Sequence, residues 1–225
     1  MNFKDRFYII LAGIFIASLI TCNLIANKFV TVNLGFKVFI VSAGILPYPL
    51  TFLVTDLISE IYGQKKANLV VFSGFVASIF VLSFLWLGAQ FNSIPNSIVD
   101  DSTYNAVFQN AWRLITASMV AYLFAQFIDV RVFHFWKKLT NGKHLWLRNN
   151  GSTIASQLID TTLVISILFV GVWDTNQILS AIIDGWIFKM LIALLDTPII
   201  YVVIYLLKGK IDIAPYQEGL PYERS

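Results

Sequence analysis

The chain has 225 residues, of which 57% are hydrophobic and only 13% are charged, with a formal net charge of +3 at pH 7. A soluble domain carries about 25% charged residues, so this chain has too few charges to cover its surface in water. The composition excludes a soluble protein and predicts a single integral membrane domain over residues 1–225, in a lipid bilayer. The small positive charge gives no reason to expect nucleic acid as a partner.

Six segments are long and apolar enough to cross a bilayer, which takes about 20 mostly apolar residues in a helix. These segments are residues 7–27, 38–62, 67–91, 112–136, 151–173 and 183–207. The sequence therefore predicts an all-α fold, a six-span transmembrane helical bundle. The connections are short apart from a polar loop at residues 92–111.

The first span carries a stripe of small residues and ends in two asparagines. Gly13, Ala17 and Thr21 recur every four residues, which lets another helix approach closely. The stripe predicts either packing inside the bundle or a docking face for a second copy of the chain or a membrane partner. Asn23 and Asn27 are polar groups at the end of the same span.

The second span is broken by proline. Pro47 and Pro49 each lack a backbone donor, and Pro49 can open a helix that Gly63 closes after Tyr62. Such a helix is about 21 Å long and too short to cross alone. Residues 38–46 are therefore expected to form a kinked or re-entrant half of the span. Broken spans survive only against protein or a watery cavity, so this segment is expected to line a cavity.

Carboxylates occur within the spans. Asp56 and Glu60 lie four residues apart on one face of the second span. The fourth and fifth spans share a Gln-x-x-Asp pattern, and the sixth carries a lysine and an aspartate seven residues apart on one face. With Asn23 and Tyr122 added, the candidate binding residues are Asn23, Asp56, Tyr122, Gln126, Asp129, Gln157, Asp160, Lys189 and Asp196.

These groups are expected to point into the bundle. An ionised residue facing hydrocarbon costs about 2.5–3.5 kcal/mol even on the lenient insertion scale, so four aspartates facing lipid would cost on the order of 10 kcal/mol. Two structural alternatives stay open: Lys189 forms a helix-locking ion pair, or the Gln-x-x-Asp pairs bond helices together. Glu60 and Arg131 lie near a membrane boundary, where they snorkel or pair with neighbours.

Enzyme, metal and cofactor chemistry have no sequence support. His134 and His144 flank a connection without further ligands at metal spacing, and common hydrolase, protease and nucleotide motifs are missing. The sequence predicts no metal, no cofactor and no enzyme.

The positive residues set the expected orientation. Lysine and arginine concentrate in cytoplasmic connections. Eleven of them lie on one side of the predicted bundle: Lys4, Arg6, Lys65, Lys66, Lys137, Lys138, Lys143, Arg148, Lys208, Lys210 and Arg224. Three lie on the other: Lys28, Lys37 and Arg113. Both termini are therefore expected in the cytoplasm.

Four longer motifs carry a family resemblance. They read "TCNLIANK", "PLTFLVTDLISEIYGQKKA", "AQFIDVRVFHFWKKLT" and "HLWLRNNGSTIASQLIDT". Together they resemble the queuosine precursor transporter family, also described as a vitamin-uptake transporter family. The resemblance extends from about Asn23 to Tyr205 and leaves the loop at residues 92–111 and the C-terminal tail unmatched.

The resemblance implies a bacterial or archaeal inner-membrane importer of a 7-deazaguanine queuosine precursor, in cyano or aminomethyl form, for tRNA modification. It also implies a fold similar to the substrate-binding subunits of energy-coupling-factor transporters. For such a solute, Asp129 or Asp160 is expected to read the guanine-like edge, with its glutamine neighbour on the oxygen. Asp56 would line the entry or hold the amine, and the flat ring would stack on one of three aromatic residues: Tyr122, Phe52 or Phe188.

Two other functions stay open. One is import of a different vitamin or nucleobase. The other is a binding subunit that depends on a separate ATPase module, which would dock on the small-residue stripe of the first span.

Overall fold

The computed structural model of the chain describes residues 2–26, 28–33, 35, 38–109, 112–169, 171 and 173–207. Five residues named above lie outside the described residues: Asn27, Lys37, Lys208, Lys210 and Arg224.

The described chain is mostly helical. In order, its elements are α1 (Phe3–Ile25), β1 (Phe29–Asn33), β2 (Val38–Ser42), a 3₁₀ turn (Ala43–Ile45), α2 (Tyr48–Tyr62), α3 (Gln64–Gly88), α4 (Asp101–Tyr104), a π turn (Asn105–Gln109), α5 (Trp112–Leu139), α6 (Leu145–Phe169) and α7 (Thr175–Leu207). The last two helices begin earlier than predicted, at 145 instead of 151 and at 175 instead of 183.

Five segments of the described chain are long and apolar enough to cross a membrane: Phe3–Ile25, Ala43–Tyr62, Gln64–Gly88, Thr116–Leu139 and Thr175–Leu207. α6 is also long, at 25 residues, but Arg148, Gln157 and Asp160 make it more polar. The chain is thus a mostly helical membrane protein. A role for α6 as a sixth span stays a prediction.

The prediction of a helical or re-entrant half at residues 38–46 is wrong for its first part. Val38–Ser42 pairs antiparallel with Phe29–Asn33 as a β-hairpin, with Phe29 opposite Ser42. The β-branched and aromatic residues at 30–32 and 38–41 suit a strand, and the pairing supplies the backbone partners that an isolated half-helix would lack. The fold is therefore not purely α-helical.

The proline-broken helix itself follows the prediction. α2 begins at Tyr48, between Pro47 and Pro49, and has 15 residues. It ends at Tyr62, and Gly63, which adopts φ of +85°, leads directly into α3. This is left-handed backbone that glycine adopts without strain, so the two helices are joined by a single residue.

One end of the bundle gathers the basic residues. The Tyr62 hydroxyl donates to the Lys4 carbonyl oxygen at 2.7 Å, which joins the start of α1 to the α2–α3 turn. Lys137, near the end of α5, forms an ion pair with Glu60 at 3.0 Å. We call this the basic end, and the opposite end, with the β-hairpin and the connection at 89–100, the hairpin end.

The loop on the hairpin end is partly ordered by its own side chains. Asp100 caps α4 by accepting from the Thr103 amide at 2.7 Å, and hydrogen bonds from Thr103 and Ser102 lower the pKa of its carboxyl. The Tyr104 hydroxyl donates to the Leu85 carbonyl at 3.0 Å. The loop is thereby tied to the end of α3.

The hydrophobic core lies among α1, α2, α3 and α5. Phe15, Phe52, Ile58, Val71 and Phe133 are all buried there. The stripe of Gly13, Ala17 and Thr21 faces outward instead, and all three residues are exposed. This excludes the stripe from the internal packing of the described bundle. A docking role for it stays a prediction.

The close approach of α1 and α3 depends on Gly74. A Cβ at this position would lie 2.6 Å from Phe15 Cε1 and 3.0 Å from Leu19 Cδ2, and Phe15 is fully buried. We expect Gly74→Val to lower the free energy of unfolding by about 1–3 kcal/mol through overpacking. Gly13→Val is the matched control, because nothing lies within 4 Å of its added Cβ. Unfolding of the purified variants in mixed micelles measures this, and equal effects at both positions would contradict the packing account.

Candidate functional site

A narrow cleft lies between α2, α6 and α7, with a cavity volume of about 10 Å³, which is the space of one water molecule. Small-molecule pockets are far larger, so a solute can occupy the cleft only when these helices move apart. Its lining combines aromatic, apolar, amide, cationic and anionic groups. The lining residues are Ile45, Tyr48, Pro49, Phe52, Thr153, Gln157, Lys189, Ile192, Ala193 and Asp196.

The α2 wall of the cleft is aromatic. The rings of Tyr48 and Phe52 are 5.3 Å apart, one helical turn from each other. Tyr122 of α5 packs behind both, at 5.8 Å from Tyr48 and 6.0 Å from Phe52. Tyr48 occupies the first position of α2 because the prolines on either side start the helix there. These rings can stack on a flat solute.

An ion pair spans α6 and α7 at the cleft. Lys189 Nζ lies 2.6 Å from Asp160 Oδ2, and both side chains are largely buried. Nζ also lies 4.6 Å from the centre of the Tyr48 ring, a cation–π distance. The pairing predicted as a structural alternative for Lys189 is thus present. Lys189 nevertheless lines the cleft, so its ammonium can donate to a solute as well.

Two polar groups in the cleft can accept further hydrogen bonds. Gln157 is 2% exposed, and its Oε1 accepts no hydrogen bond within the described chain. Asp196 is half-buried and stands two residues before Pro198, whose missing N–H interrupts the α7 ladder. An amide oxygen and a carboxylate both accept N–H donors.

A buried hydrogen-bond chain supports the aromatic wall. Gln126 Nε2 donates to the Tyr122 hydroxyl at 2.6 Å, and the Thr55 hydroxyl donates to Gln126 Oε1 at 3.2 Å. Gln126 therefore joins α5 to α2 and positions Tyr122. This matches the interhelical role that the sequence left open for one of the Gln-x-x-Asp pairs.

Two more carboxyl groups lie deeper than the cleft. Asp56 of α2 and Asp129 of α5 are 1% and 0% exposed, and their carboxyl groups face each other. Ser156 Oγ of α6 donates to Asp129 Oδ1 at 3.0 Å. Neither acid belongs to the lining of the cleft.

The predicted binding residues lie at different distances from the cleft. Gln157, Lys189 and Asp196 line the cleft, while Asp160 and Tyr122 touch residues that line it. Asn23 is buried in α1, with its Nδ2 unbonded to any described group, and it does not line the cleft.

The aromatic residues predicted to stack on a flat ring also differ in their position relative to the cleft. Phe52 lines the cleft, whereas Phe188 packs on Phe39 of the hairpin at 5.0 Å. Tyr48 was not among the predicted binding residues. Its place between two prolines at the start of a broken span was the available signal.

A buried charge cluster closes the basic end. Arg148 is 1% exposed, its Nη2 lies 2.8 Å from Glu60 Oε1, and its Nη1 donates to the Gly142 carbonyl. Lys137 pairs with the other Glu60 oxygen. Glu60 thus pairs with its neighbours, as predicted, while Arg148 was assigned only to a basic connection. Among the described residues, no three His, Cys, Asp or Glu side chains gather as metal ligands.

Comparisons with known proteins agree with the sequence resemblance. A family model described as "Putative vitamin uptake transporter" matches residues 42–203. The chain is 29% identical over 159 residues to the "Probable queuosine precursor transporter" of Bacillus subtilis (strain 168), covering 70% of this chain and 69% of the relative.

A second relative is the "Queuosine precursor transporter" of Escherichia coli (strain K12). It is 26% identical over 174 residues, covering 76% of this chain and 71% of the relative. A further match is the "Probable queuosine precursor transporter" of Haemophilus influenzae, 29% identical over 129 residues, with 56% and 51% coverage. No solved structure gives a significant match.

The family match covers more than half of the chain, including the cleft, the ion pair and the charge cluster of the basic end. The chain therefore belongs to the family described as "Putative vitamin uptake transporter", and it is a transporter rather than an enzyme.

Proposed function

We propose that this chain imports a 7-deazaguanine queuosine precursor, in cyano or aminomethyl form, across the inner (cytoplasmic) membrane for tRNA modification. Two relatives that cover about 70% of the chain have names that specify a queuosine precursor. The chemistry of the cleft supports the same class of solute.

The observation that carries the proposal is the placing of Gln157, Lys189 and Asp196 against the rings of Tyr48 and Phe52. A deazaguanine is a flat heterocycle with a ring N–H beside an exocyclic amine, and with a ring oxygen. Asp196 can accept from the two donors together, and Lys189 can donate to the oxygen. Gln157 Oε1, which has no described donor, accepts from a further N–H.

This assignment departs from the sequence-based expectation, which gave the guanine-like edge to Asp129 or Asp160. Asp160 acts through Lys189, which it holds at 2.6 Å. Asp129 and Asp56 lie behind the cleft, so we assign the reading of the guanine-like edge to Asp196. Gln126 and Tyr122 support the aromatic wall and need not touch the solute.

We place the basic end in the cytoplasm, following the distribution of lysine and arginine. The hairpin end then faces outward, and the solute enters past Ile45, beside the start of α2. The cleft extends from Ile45 to Asp196, inward along α2 and α7. Release on the cytoplasmic side requires the Glu60–Arg148 cluster to open.

The proposal predicts that Asp196→Asn lowers precursor uptake about tenfold. A charge-assisted hydrogen bond exceeds a neutral one by roughly 1–1.5 kcal/mol, which corresponds to about a factor of ten in affinity. Uptake of labelled cyano and aminomethyl precursors, in cells that neither make nor otherwise import them, measures the effect. Asp5→Asn is the matched control, because Asp5 is an exposed acid in the first turn of α1.

If Asp196→Asn took up both precursors at the wild-type rate, at equal protein level, Asp196 would not be a solute-binding residue. No uptake of either precursor by the wild-type chain would overturn the proposed function itself.

The family description favours a second candidate, import of another vitamin or nucleobase, alone or as the binding subunit of an ATPase-driven complex. Purified protein in liposomes separates these functions. Uptake without any added subunit excludes the ATPase-dependent form, and competition by guanine, queuine or vitamins against the labelled precursor identifies the preferred solute.

A further inference from the structure

The buried carboxyl pair of Asp56 and Asp129 is not used by the cleft. Both side chains are almost fully buried, and they come from different helices, α2 and α5. Neither oxygen of Asp56 accepts a hydrogen bond from an amide, hydroxyl or ammonium group of the described chain. A fully buried carboxylate with no donor is a costly arrangement that a native fold avoids.

The cations at membrane depth have other partners. Lys189 is bound to Asp160 at 2.6 Å, and Arg148 is bound to Glu60 at 2.8 Å. Arg131 lies two residues after Asp129, with an exposed side chain on another face of α5. The described chain therefore provides no positive charge that neutralises the pair.

The groups that face the pair add negative charge or neutral hydroxyls. Asp196 of α7 and Glu60 of α2 both act electrostatically on Asp56. From α6, the Ser156 hydroxyl donates to Asp129, and the Ser152 and Thr153 side chains lie beside it. Two carboxylates in contact, with further acids nearby, cannot both stay ionised in a dry interior.

A bound proton resolves this arrangement. With one carboxyl protonated, its O–H donates to the other carboxylate, and both Asp56 and the Oδ2 atom of Asp129 gain a hydrogen-bond partner. Such a pair titrates as one unit and holds one proton.

From this geometry we infer that Asp56 and Asp129 form a proton-binding site that couples solute import to proton entry. The inference rests on the proposed function, since it requires the chain to move a solute. The ligand of the new site is a proton. It leaves water on the hairpin side, binds a carboxylate oxygen of the pair, and is released to water at the basic end, with no electron transferred.

The position of the pair suits coupling. Asp196 lies both in the lining of the cleft and within electrostatic reach of Asp56. A solute bound at Asp196 and a proton bound by the pair therefore act on each other's affinity. Glu60 lies one helical turn after Asp56, toward the basic end, and offers a route of exit.

Infrared spectroscopy of the purified protein in lipid tests the site without any solute. We expect the wild type at pH 7 to show the C=O stretching band of a buried protonated carboxyl. The band should disappear in the double variant D56N/D129N and persist in D160N, because Asp160 pairs with Lys189 and lies outside the acid pair. A wild-type spectrum without this band, or a double variant that retains it, would overturn the inference.

Transport by wild-type protein in liposomes provides the second test and does not depend on a variant that folds. With equal pH on both sides, adding the deazaguanine precursor should acidify the lumen by about one proton per solute, reported by an enclosed pH dye. Solute entry without acidification would refute coupling and leave the proposed function intact. If the precursor does not enter at all, the proposed function fails, and the infrared band alone decides whether the proton site exists.

Discussion

Replacing Arg148 with methionine is expected to lower the free energy of unfolding by about 3–5 kcal/mol. The guanidinium is 1% exposed and bonds Glu60 and the Gly142 carbonyl. It also lies 5.6 Å from the Phe133 ring. Without Arg148, the Glu60 carboxylate is balanced only by the less buried Lys137, and removing one partner of a buried ion pair is more costly than replacing both. Unfolding of the purified protein in mixed micelles gives the measurement.

Arg131→Met is the matched control for this prediction, since Arg131 belongs to a membrane helix but has an exposed side chain. It should change stability by less than about 0.5 kcal/mol, as exposed substitutions usually do. Combining Arg148→Met with Glu60→Gln should recover part of the loss, because the carboxylate that Lys137 alone would have to balance is then removed. Equal stability of the two single arginine variants would show that the cluster does not hold the basic end together.

Replacing Lys189 with methionine is expected both to destabilise the protein and to stop uptake. Asp160 is largely buried, and Lys189 is its ion-pair partner at 2.6 Å, so the single change should cost about 3–5 kcal/mol. Loss of a charged donor to the solute adds a decrease of about tenfold to a hundredfold in uptake. Micelle unfolding and precursor uptake, measured on the same variant, report the two effects.

A second variant separates the structural role of Lys189 from its role in binding. The double replacement D160N/K189M removes both charges and should restore stability to within about 1–2 kcal/mol of the wild type. Uptake should stay low, because no ammonium remains in the cleft. Lys138→Met, at an exposed position on α5, serves as the control for loss of a lysine. If the double variant recovered uptake, Lys189 would only hold α6 and α7 together and would not bind the solute.

These predictions share one structural basis. Four acids of the bundle fall into three groups with different partners: Asp160 with Lys189, Glu60 with Arg148 and Lys137, and Asp56 with Asp129. The first two groups are neutralised by cations. In the third, no cation of the described chain pairs with the two acids, which is why we assign the proton there.

Predicting the helices from the sequence succeeded where a segment was long and apolar. Helical periodicity fixes which residues share a face, so the inward direction of Gln126, Asp129, Gln157 and Asp160 could be predicted, and all four are buried. The strand at Val38–Ser42 could not be distinguished from a helical half, because a short apolar run fits either structure until its pairing partner is known.

The site was predictable as a set of residues but not as a geometry. Sequence spacing cannot say which helices are neighbours, and therefore could not show that Lys189 meets Asp160 while Asp129 meets Asp56. For the same reason, the sequence did not reveal the structural role of Arg148, which looks like an ordinary basic residue near a connection. Arg148 becomes an internal partner of Glu60 only after α2 and α6 pack together.

The sequence by itself determined that this is a membrane protein, that its long apolar segments are helical, and that its acids must avoid lipid, because hydropathy and spacing act along the chain and within single helices. Only the tertiary structure decided the cleft, its aromatic wall at Tyr48 and Phe52, and the partner of each charge. The physical reason is that burial, ion pairing and proton sharing depend on distances between helices, and packing alone sets those distances.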